Sequence, residues 1–320
     1  MRTGKLELFG FALIFFAGSA VFANQTPALA QLSSSVLSAL SLNGAKHTVV
    51  IAPEKIFITP TNLEAKAVYI FDISTGNTIY EQNASTTLPL ASITKIMTAL
   101  TTYEHAPQSA TVLIRPEDLA KEGDSGLLSN EHWRLKDLID FALTSSSNDA
   151  ASALASVTSA MGATSTEVRD EKAEFVRLMN EQAQKIGMTQ SQFNNESGLD
   201  LDTLNAGAYA SAKDVTMLFA YILAEHPDLL EATRYERVGF TSLDDIHHTA
   251  RNTNASINSI PGIIASKTGL TDLAGGNLVI SFDAGINRPI IITVLGSSEK
   301  GRFSDMEALA SSTLAFLREE

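Results

Sequence analysis

Pro89-Leu-Ala-Ser92-Ile-Thr-Lys95-Ile-Met-Thr-Ala-Leu100 is the stretch on which the reading of this chain turns. Ile93, Ile96, Met97 and Leu100 recur at offsets of three and four, the period of a buried helix. A helix beginning here stacks Ser92 and Lys95 on one face, because residues three apart are neighbours on a helix surface. An amine beside a hydroxyl is one way to make a serine nucleophilic without a histidine. The pattern is cheap when taken alone. Ser297-Ser-Glu-Lys300 repeats it just after a predicted strand, at the head of no apolar helix.

Outward from this helix the pattern changes twice. Upstream, Ala67–Phe71 is strand-like, Asp72-Ile-Ser-Thr-Gly76-Asn77 is a turn and Thr78–Tyr80 runs back, which predicts a β-hairpin. Downstream, helical periods dominate over Lys136–Leu143, Glu174–Ile186 and Val215–Leu223. In the second of these Phe175, Leu178, Met179, Ala183 and Ile186 form an apolar stripe and Gly187 stands at the stop. From residue 263 strands return at 263–266, 277–282 and 289–295, joined by Gly-containing turns, and a helix over 304–317 closes the chain. The order strands, helices, strands, helix predicts a mixed α/β (α+β) fold. Its core is one five-stranded antiparallel sheet with terminal helices packed on it, and a mostly helical lobe is inserted over about 92–260. A cleft between lobes is the place to expect a ligand.

Composition bounds the function. The chain has 320 residues, 44% hydrophobic and 18% charged, ample for a core. Thirty-six acidic residues against 23 basic ones give a net charge of −13, which argues against a nucleic-acid partner. With no cysteine, disulfides, thiolate metal sites and cysteine nucleophiles are excluded. Arg2 and Lys5 precede an apolar run from Leu8 to Phe22, so residues 1–23 read as a signal peptide or an N-terminal membrane anchor. Either places the rest of the chain outside the cytoplasm. Residues 24–62 read as a linker and 63–320 as the working domain. Asp244, Asp245, His247 and His248 read as an exposed polar loop rather than a metal site, and Trp133 as a packing residue.

Two further motifs give the first its weight. Ser146-Ser147-Asn148 follows the predicted helix at 136–143, and Lys267-Thr268-Gly269 ends a predicted strand. A second Ser-x-Asn, Ser256-Ile-Asn258, warns that this pattern also arises by chance. The ordered set and its surroundings are specific: Pro89-Leu-Ala-Ser-Ile-Thr-Lys-Ile-Met-Thr-Ala, Leu143-Thr-Ser-Ser-Ser-Asn-Asp-Ala150, Phe193-Asn-Asn-Glu-Ser-Gly-Leu-Asp200 and Ser266-Lys-Thr-Gly-Leu-Thr271. On these segments the chain, from about residue 63 to 320, resembles the serine-type D-alanyl-D-alanine carboxypeptidases, the low-molecular-mass penicillin-binding proteins. The extra C-terminal β-domain and membrane-binding tail of many members have no counterpart in the sequence.

The resemblance implies a role for each matched residue. Ser92 attacks the carbonyl between the last two D-alanines of a peptidoglycan stem peptide, giving an acyl-enzyme that water hydrolyses. Lys95 acts as base, its ammonium form disfavoured by a helix N-terminus and by Lys267. Ser146 relays a proton to the departing amine, and Asn148 bonds the substrate amide. Lys267, Thr268 and Arg302 bind the terminal carboxylate, and Gly269 lets the strand approach the substrate. Backbone N–H groups of Ser92 and Leu270 form the oxyanion hole. The resemblance further implies β-lactam antibiotics as covalent inhibitors, and neither cofactor nor metal. Three other readings stay open: a D,D-endopeptidase using the same residues, a class A-like β-lactamase, and a non-catalytic β-lactam or peptidoglycan sensor. The β-lactamase reading needs Glu-x-x-Leu-Asn, and Glu196-Ser-Gly-Leu199-Asp200 departs from it in the last place.

Overall fold

The computed structural model describes residues 56–318 except 121, 124, 163–169 and 286. The predicted export or anchor segment, 1–23, and all of the predicted linker but residues 56–62 lie outside the described residues. In chain order the strands are β1 (Ala67–Asp72), β2 (Asn77–Gln82), β3 (Leu88–Pro89), β4 (Thr111–Leu113), β5 (His132–Arg134), β6 (Gln192–Phe193), β7 (Ala208–Ala210), β8 (Arg237–Thr241), β9 (His247–Arg251), β10 (Ile263–Thr271), β11 (Gly275–Asp283) and β12 (Pro289–Ser297). The helices are α1 (Lys95–His105), α2 (Leu135–Ser145), α3 (Asn148–Gly162), α4 (Glu171–Lys185), α5 (Ala212–Glu225) and α6 (Gly301–Arg318).

The predicted sheet is present. Among the described residues, five strands pair in the order β10-β11-β12-β1-β2, every neighbour antiparallel. The N-terminal hairpin is therefore completed by the end of the chain, with Ala67 opposite Leu295 and Asp72 opposite Ile290. Side chains alternate across a strand, and here both faces are apolar. Val68, Ile70, Leu278, Ile280, Ile290, Ile292 and Val294 face α6 through Met306 and Leu309. Ala67, Tyr69, Val279, Ile291 and Leu295 face the inserted lobe. An antiparallel sheet commonly wets one face; this one is covered on both, and Thr293 on its inner face meets Thr216 of α5 at 2.7 Å.

The insertion is mostly helical and, among the described residues, three small sheets, β3-β7-β6, β4-β5 and β8-β9, are stitched into or against it. Helix α3 has no apolar stripe in its sequence to announce it. It is instead buried nearly all round through Ala150, Ala151, Ala153, Leu154 and Ala155, the composition of a helix packed on several sides. It lies against α1, α2 and α4. Trp133 is fully buried, with the Phe141 ring at 5.3 Å. The predicted polar loop at 244–248 is corrected here. Asp244 and Asp245 do form a turn, but His247 and His248 lie on strand β9. His248 Nε2 is 2.6 Å from Glu131 Oε1 and its ring packs 4.9 Å from Trp133.

Both chance motifs prove structural. Ser297 Oγ donates to Asp305 Oδ2 at 2.7 Å, and Ser256 Oγ donates to Glu307 Oε1 at 2.7 Å. Asp305 also accepts from the backbone N–H groups of Glu64 at 3.1 Å and Ala65 at 2.9 Å, tying the start of β1 to α6. Asp305→Ala leaves the buried Ala65 N–H and Ser297 hydroxyl and the part-buried Glu64 N–H without this acceptor and is expected to lower stability by about 3 kcal/mol in urea unfolding, the scale of losing an acceptor shared by several donors.

Candidate active site

The turn that carries Ser92 is built by its neighbours. Strand β3 pairs with β7, and Leu90 N–H donates to Ala208 O at 3.0 Å. Asn277 of β11 then donates from Nδ2 to the carbonyls of Pro89 at 2.9 Å and Leu90 at 3.0 Å, while its Oδ1 accepts from Gly296 N–H at 2.7 Å. Past this clamp Ala91 takes a positive φ of 49° and the chain tightens into a 3-10 turn, Ala91–Thr94, before α1 opens at Lys95. Ser92 thus stands at the foot of α1 rather than inside it. The offset of three still brings the two side chains together.

Lys95 is fully buried. Its Nζ donates to Ser92 Oγ at 2.9 Å, Asn148 Oδ1 at 2.6 Å and the Ser197 carbonyl at 2.8 Å, one acceptor for each ammonium proton. Burial pushes its pKa down to about 7, opposed by the negative charge of Glu196. Loss of water is therefore the main cause, where the sequence pointed to a helix terminus and Lys267.

The second cluster centres on Lys267. Its Nζ donates to Ser146 Oγ at 2.8 Å and to the Thr268 carbonyl at 2.9 Å. Burial holds its pKa well below the ordinary lysine value, and the charges of Lys95 and Arg302 push the same way. Ser146 reaches it because the residue closing α2 takes the left-handed conformation, φ 63° and ψ 31°. Two residues on, Asn148 begins α3, and its Nδ2 donates to the Glu122 carbonyl at 2.6 Å. The α2–α3 junction thereby feeds one side chain to each lysine.

Strand β10 is the outer strand of the sheet and lies beside the Ser92 turn. Gly269 is needed for that approach. A Cβ at this position would sit 2.6 Å from the Leu90 carbonyl and 3.2 Å from Ala91 Cβ and Ile93 Cγ1. The close contact is with the turn that carries Ser92, where the sequence suggested the substrate. Leu270, the next residue on β10, has an exposed side chain. Thr268 shares a 2.5 Å hydrogen bond with Thr253, a residue the motifs did not indicate. Arg302, at the start of α6, donates from Nη1 to the Gly269 carbonyl at 2.7 Å and lies over the Phe303 ring at 4.7 Å. All of the motif residues are thus on one wall or another of a single site. The second Ser-x-x-Lys and second Ser-x-Asn are held elsewhere by Asp305 and Glu307.

The sequence reading matched Phe193–Asp200 to the family without giving it a role; the structure makes its Asn195–Gly198 portion part of the frame around Lys95 and Ser92. Glu196 O accepts from Thr98 Oγ1 at 2.6 Å, one turn along α1 from the Lys95–Ser197 contact. Gly198, at φ 81°, presses on the Ser92 turn: a Cβ there would fall 1.9 Å from the Ala91 carbonyl oxygen. Asn277 was missed too, although a lone amide in an otherwise apolar strand, where Asn is depleted, was a usable signal. Gly198→Ala adds both backbone strain and a steric clash. It is expected to cost about 2 kcal/mol or more in urea unfolding and to displace Ser92 from Lys95 in a crystal structure of the variant.

This architecture has known counterparts. Residues 54–299 match the family described as D-alanyl-D-alanine carboxypeptidase. D-alanyl-D-alanine carboxypeptidase DacF of Bacillus subtilis is 29% identical over 75% of this chain and 59% of its own length, so this chain spans about three fifths of that relative. A D-alanyl-D-alanine endopeptidase of Pseudomonas aeruginosa is 29% identical over 84% of each chain. Penicillin-binding protein D2 of Listeria monocytogenes, solved in an ampicillin-bound form, superposes with a TM-score of 0.66 and 29% identity, covering 79% of this chain and 98% of that one. With the sheet, the inserted lobe and the ordered motifs all in place, the family match over most of the described residues means that this chain belongs to the D-alanyl-D-alanine carboxypeptidase family.

Proposed function

We propose that this chain is a serine D,D-peptidase that removes the terminal D-alanine from peptidoglycan stem peptides ending in D-Ala-D-Ala. The observation that carries the reading is the 2.9 Å contact between Ser92 Oγ and a buried lysine whose pKa lies near neutrality. A base of that pKa is present in its free form at working pH and still strong enough to take a hydroxyl proton. Neutral Lys95 accepts the Ser92 proton as Oγ bonds to the carbonyl carbon of the penultimate D-alanine. The carbonyl oxygen becomes an oxyanion, met by the N–H groups of Ser92 and Leu270, each such donor typically worth ~3 kcal/mol. The intermediate collapses when the C–N bond breaks and the departing amine takes, through Ser146, the proton that Lys95 accepted from Ser92, which frees Lys95 again; Lys267 supports Ser146 at 2.8 Å. Water then hydrolyses the ester on Ser92.

Recognition follows from the same wall. Lys267, Thr268 and Arg302 supply the cationic and hydroxyl groups for the terminal carboxylate, and Asn148 the amide contact. A β-lactam places its ring carbonyl and its carboxylate at the same two points, so it acylates Ser92. In this reading residues 63–320 are the working domain, and 24–62 link it to an export or anchoring segment at 1–23, on the cell-wall side of the membrane. A second reading, an endopeptidase acting on cross-links, has one observation in its favour, the relative named for that activity.

Three measurements test this. Purified protein incubated with a fluorescent penicillin is expected to carry a covalent label that Ser92→Ala abolishes; an unlabelled wild type under conditions where the fold is intact overturns the assignment. The acylation rate is expected to rise with pH through about 7, as Lys95 loses its proton and becomes a base. Free pentapeptide is expected to lose D-alanine, and cleavage of cross-linked muropeptide dimers alone installs the endopeptidase reading in its place.

A further inference from the structure

Thr268 stands on β10 between Lys267 and Gly269, and its hydroxyl meets a residue outside the motifs. Thr268 is buried, and its Oγ1 lies 2.5 Å from Oγ1 of Thr253, an exposed residue just past β9. The contact belongs to a built frame. Residues 252–256 form a strap pinned at both ends. At one end Asn252 donates from its backbone N–H to the Glu236 carbonyl at 2.8 Å. Its Nδ2 donates to the carbonyls of Thr233 at 2.7 Å and Tyr235 at 3.1 Å. At the other end Ser256 is held by Glu307 of α6. Between them Asn252 Oδ1 accepts from Asn254 N–H at 2.9 Å, and Asn254 Oδ1 accepts from Ser256 N–H at 3.0 Å. Strand β10 shares the first anchor. Ser266 donates from Oγ to the Thr233 carbonyl at 3.1 Å and from its N–H to Thr233 Oγ1 at 3.1 Å. One short turn, Glu231–Arg234, therefore sets the strap and the Lys267-Thr268-Gly269 strand relative to each other.

We propose that Thr253 is a positioning residue for substrate recognition: its hydroxyl donates to Thr268 and thereby aims the Thr268 proton at the terminal carboxylate of the substrate. This role presupposes that Thr268 binds that carboxylate. A hydroxyl has one proton to give and two lone pairs with which to accept, and a carboxylate only accepts. When Thr268 gives its proton to the carboxylate, the proton in the Thr253–Thr268 bond has to come from Thr253. The direction of the pair is then fixed, from Thr253 to Thr268 to carboxylate, and each bond in such a chain polarises the next. Without Thr253 the Thr268 proton is free to rotate, and its direction has to be selected anew each time a substrate arrives. The strap is what keeps an exposed hydroxyl at this distance from a buried one.

Penicillin and its methyl ester, which lacks the anionic carboxylate, separate recognition from structure. In the full chain, Thr253→Val is expected to weaken the pre-covalent binding of penicillin roughly fivefold, the scale of one hydrogen bond. Acylation from the bound complex is expected to stay as in wild type, as is the reaction of the ester. Thr253→Ser keeps the hydroxyl and is expected to bind penicillin as wild type does. Thr268→Val is expected to weaken penicillin binding at least as much, and adding Thr253→Val to it to cost nothing further. If Thr253→Val leaves penicillin binding unchanged while Thr268→Val weakens it, the proposal falls and the carboxylate assignment stands. It falls equally if Thr253→Val slows penicillin and ester alike, or if Thr253→Ser behaves as the valine variant does. If Thr268→Val does not discriminate penicillin from its ester, the carboxylate assignment itself fails and takes the proposal with it. Thr253 is exposed, so the valine and serine variants decide the matter between them even if Thr268→Val impairs folding.

Discussion

Lys95 Nζ joins three parts of the chain that are far apart in sequence: the turn at Ser92, the start of α3 at Asn148 and the loop at Ser197. An ammonium with no access to water is costly unless each proton has an acceptor. Here each has one, and even so burial leaves the group near its neutral point. The requirement works in both directions. The three segments must close to satisfy the lysine, and once closed they deny it the solvent that would hold its charge. Stability and reactivity are thus two outcomes of one burial.

A second lysine, Lys267, repeats the arrangement with fewer acceptors, and the charge of Lys95 adds to burial in disfavouring its charged form. The α2–α3 junction serves both, since Ser146 takes the left-handed conformation while Asn148 starts a helix. Such a conformation is uncommon outside glycine and worth explaining where it occurs. Here it aims one hydroxyl at Lys267 and lets the amide two residues later meet Lys95.

Much of the fold was legible in the sequence because its periods are clean. The five strands are short alternating or apolar runs between turns, and α4 and α5 have distinct stripes. The site was legible because its residues lie in ordered motifs with specific surroundings, where the decoys at Ser297 and Ser256 lie in none. What escaped had no local signature. Helix α3 is apolar on too many sides to show a stripe. The reason for Gly269 is a carbonyl contributed by the Ser92 turn, and Gly198 answers to the same turn from a loop more than a hundred positions away. His248 is a strand residue because Trp133 and Glu131 pack on it, a fact of tertiary contact. Arg302 was found by its place after the last strand, but its bond to the Gly269 carbonyl could not be read from its neighbours in sequence.

The pairing of β1 with β12 has a consequence for how the molecule comes into being. Strand β1, made at the beginning with β2 already beside it, waits for a partner made at the end, and everything between must first be accommodated. Long-range strand pairing is slow because the intervening loop entropy is lost before the contacts form. Asn277, which braces the Ser92 turn, and Lys267, which completes the wall, both arrive with the last third of the chain. The helical lobe has its own apolar contacts, but the Ser92 turn is not braced until the C-terminal strands add to the sheet. In a partly made or truncated chain Ser92 therefore lacks its brace, and Ser146 lacks the lysine that meets it only in the finished topology.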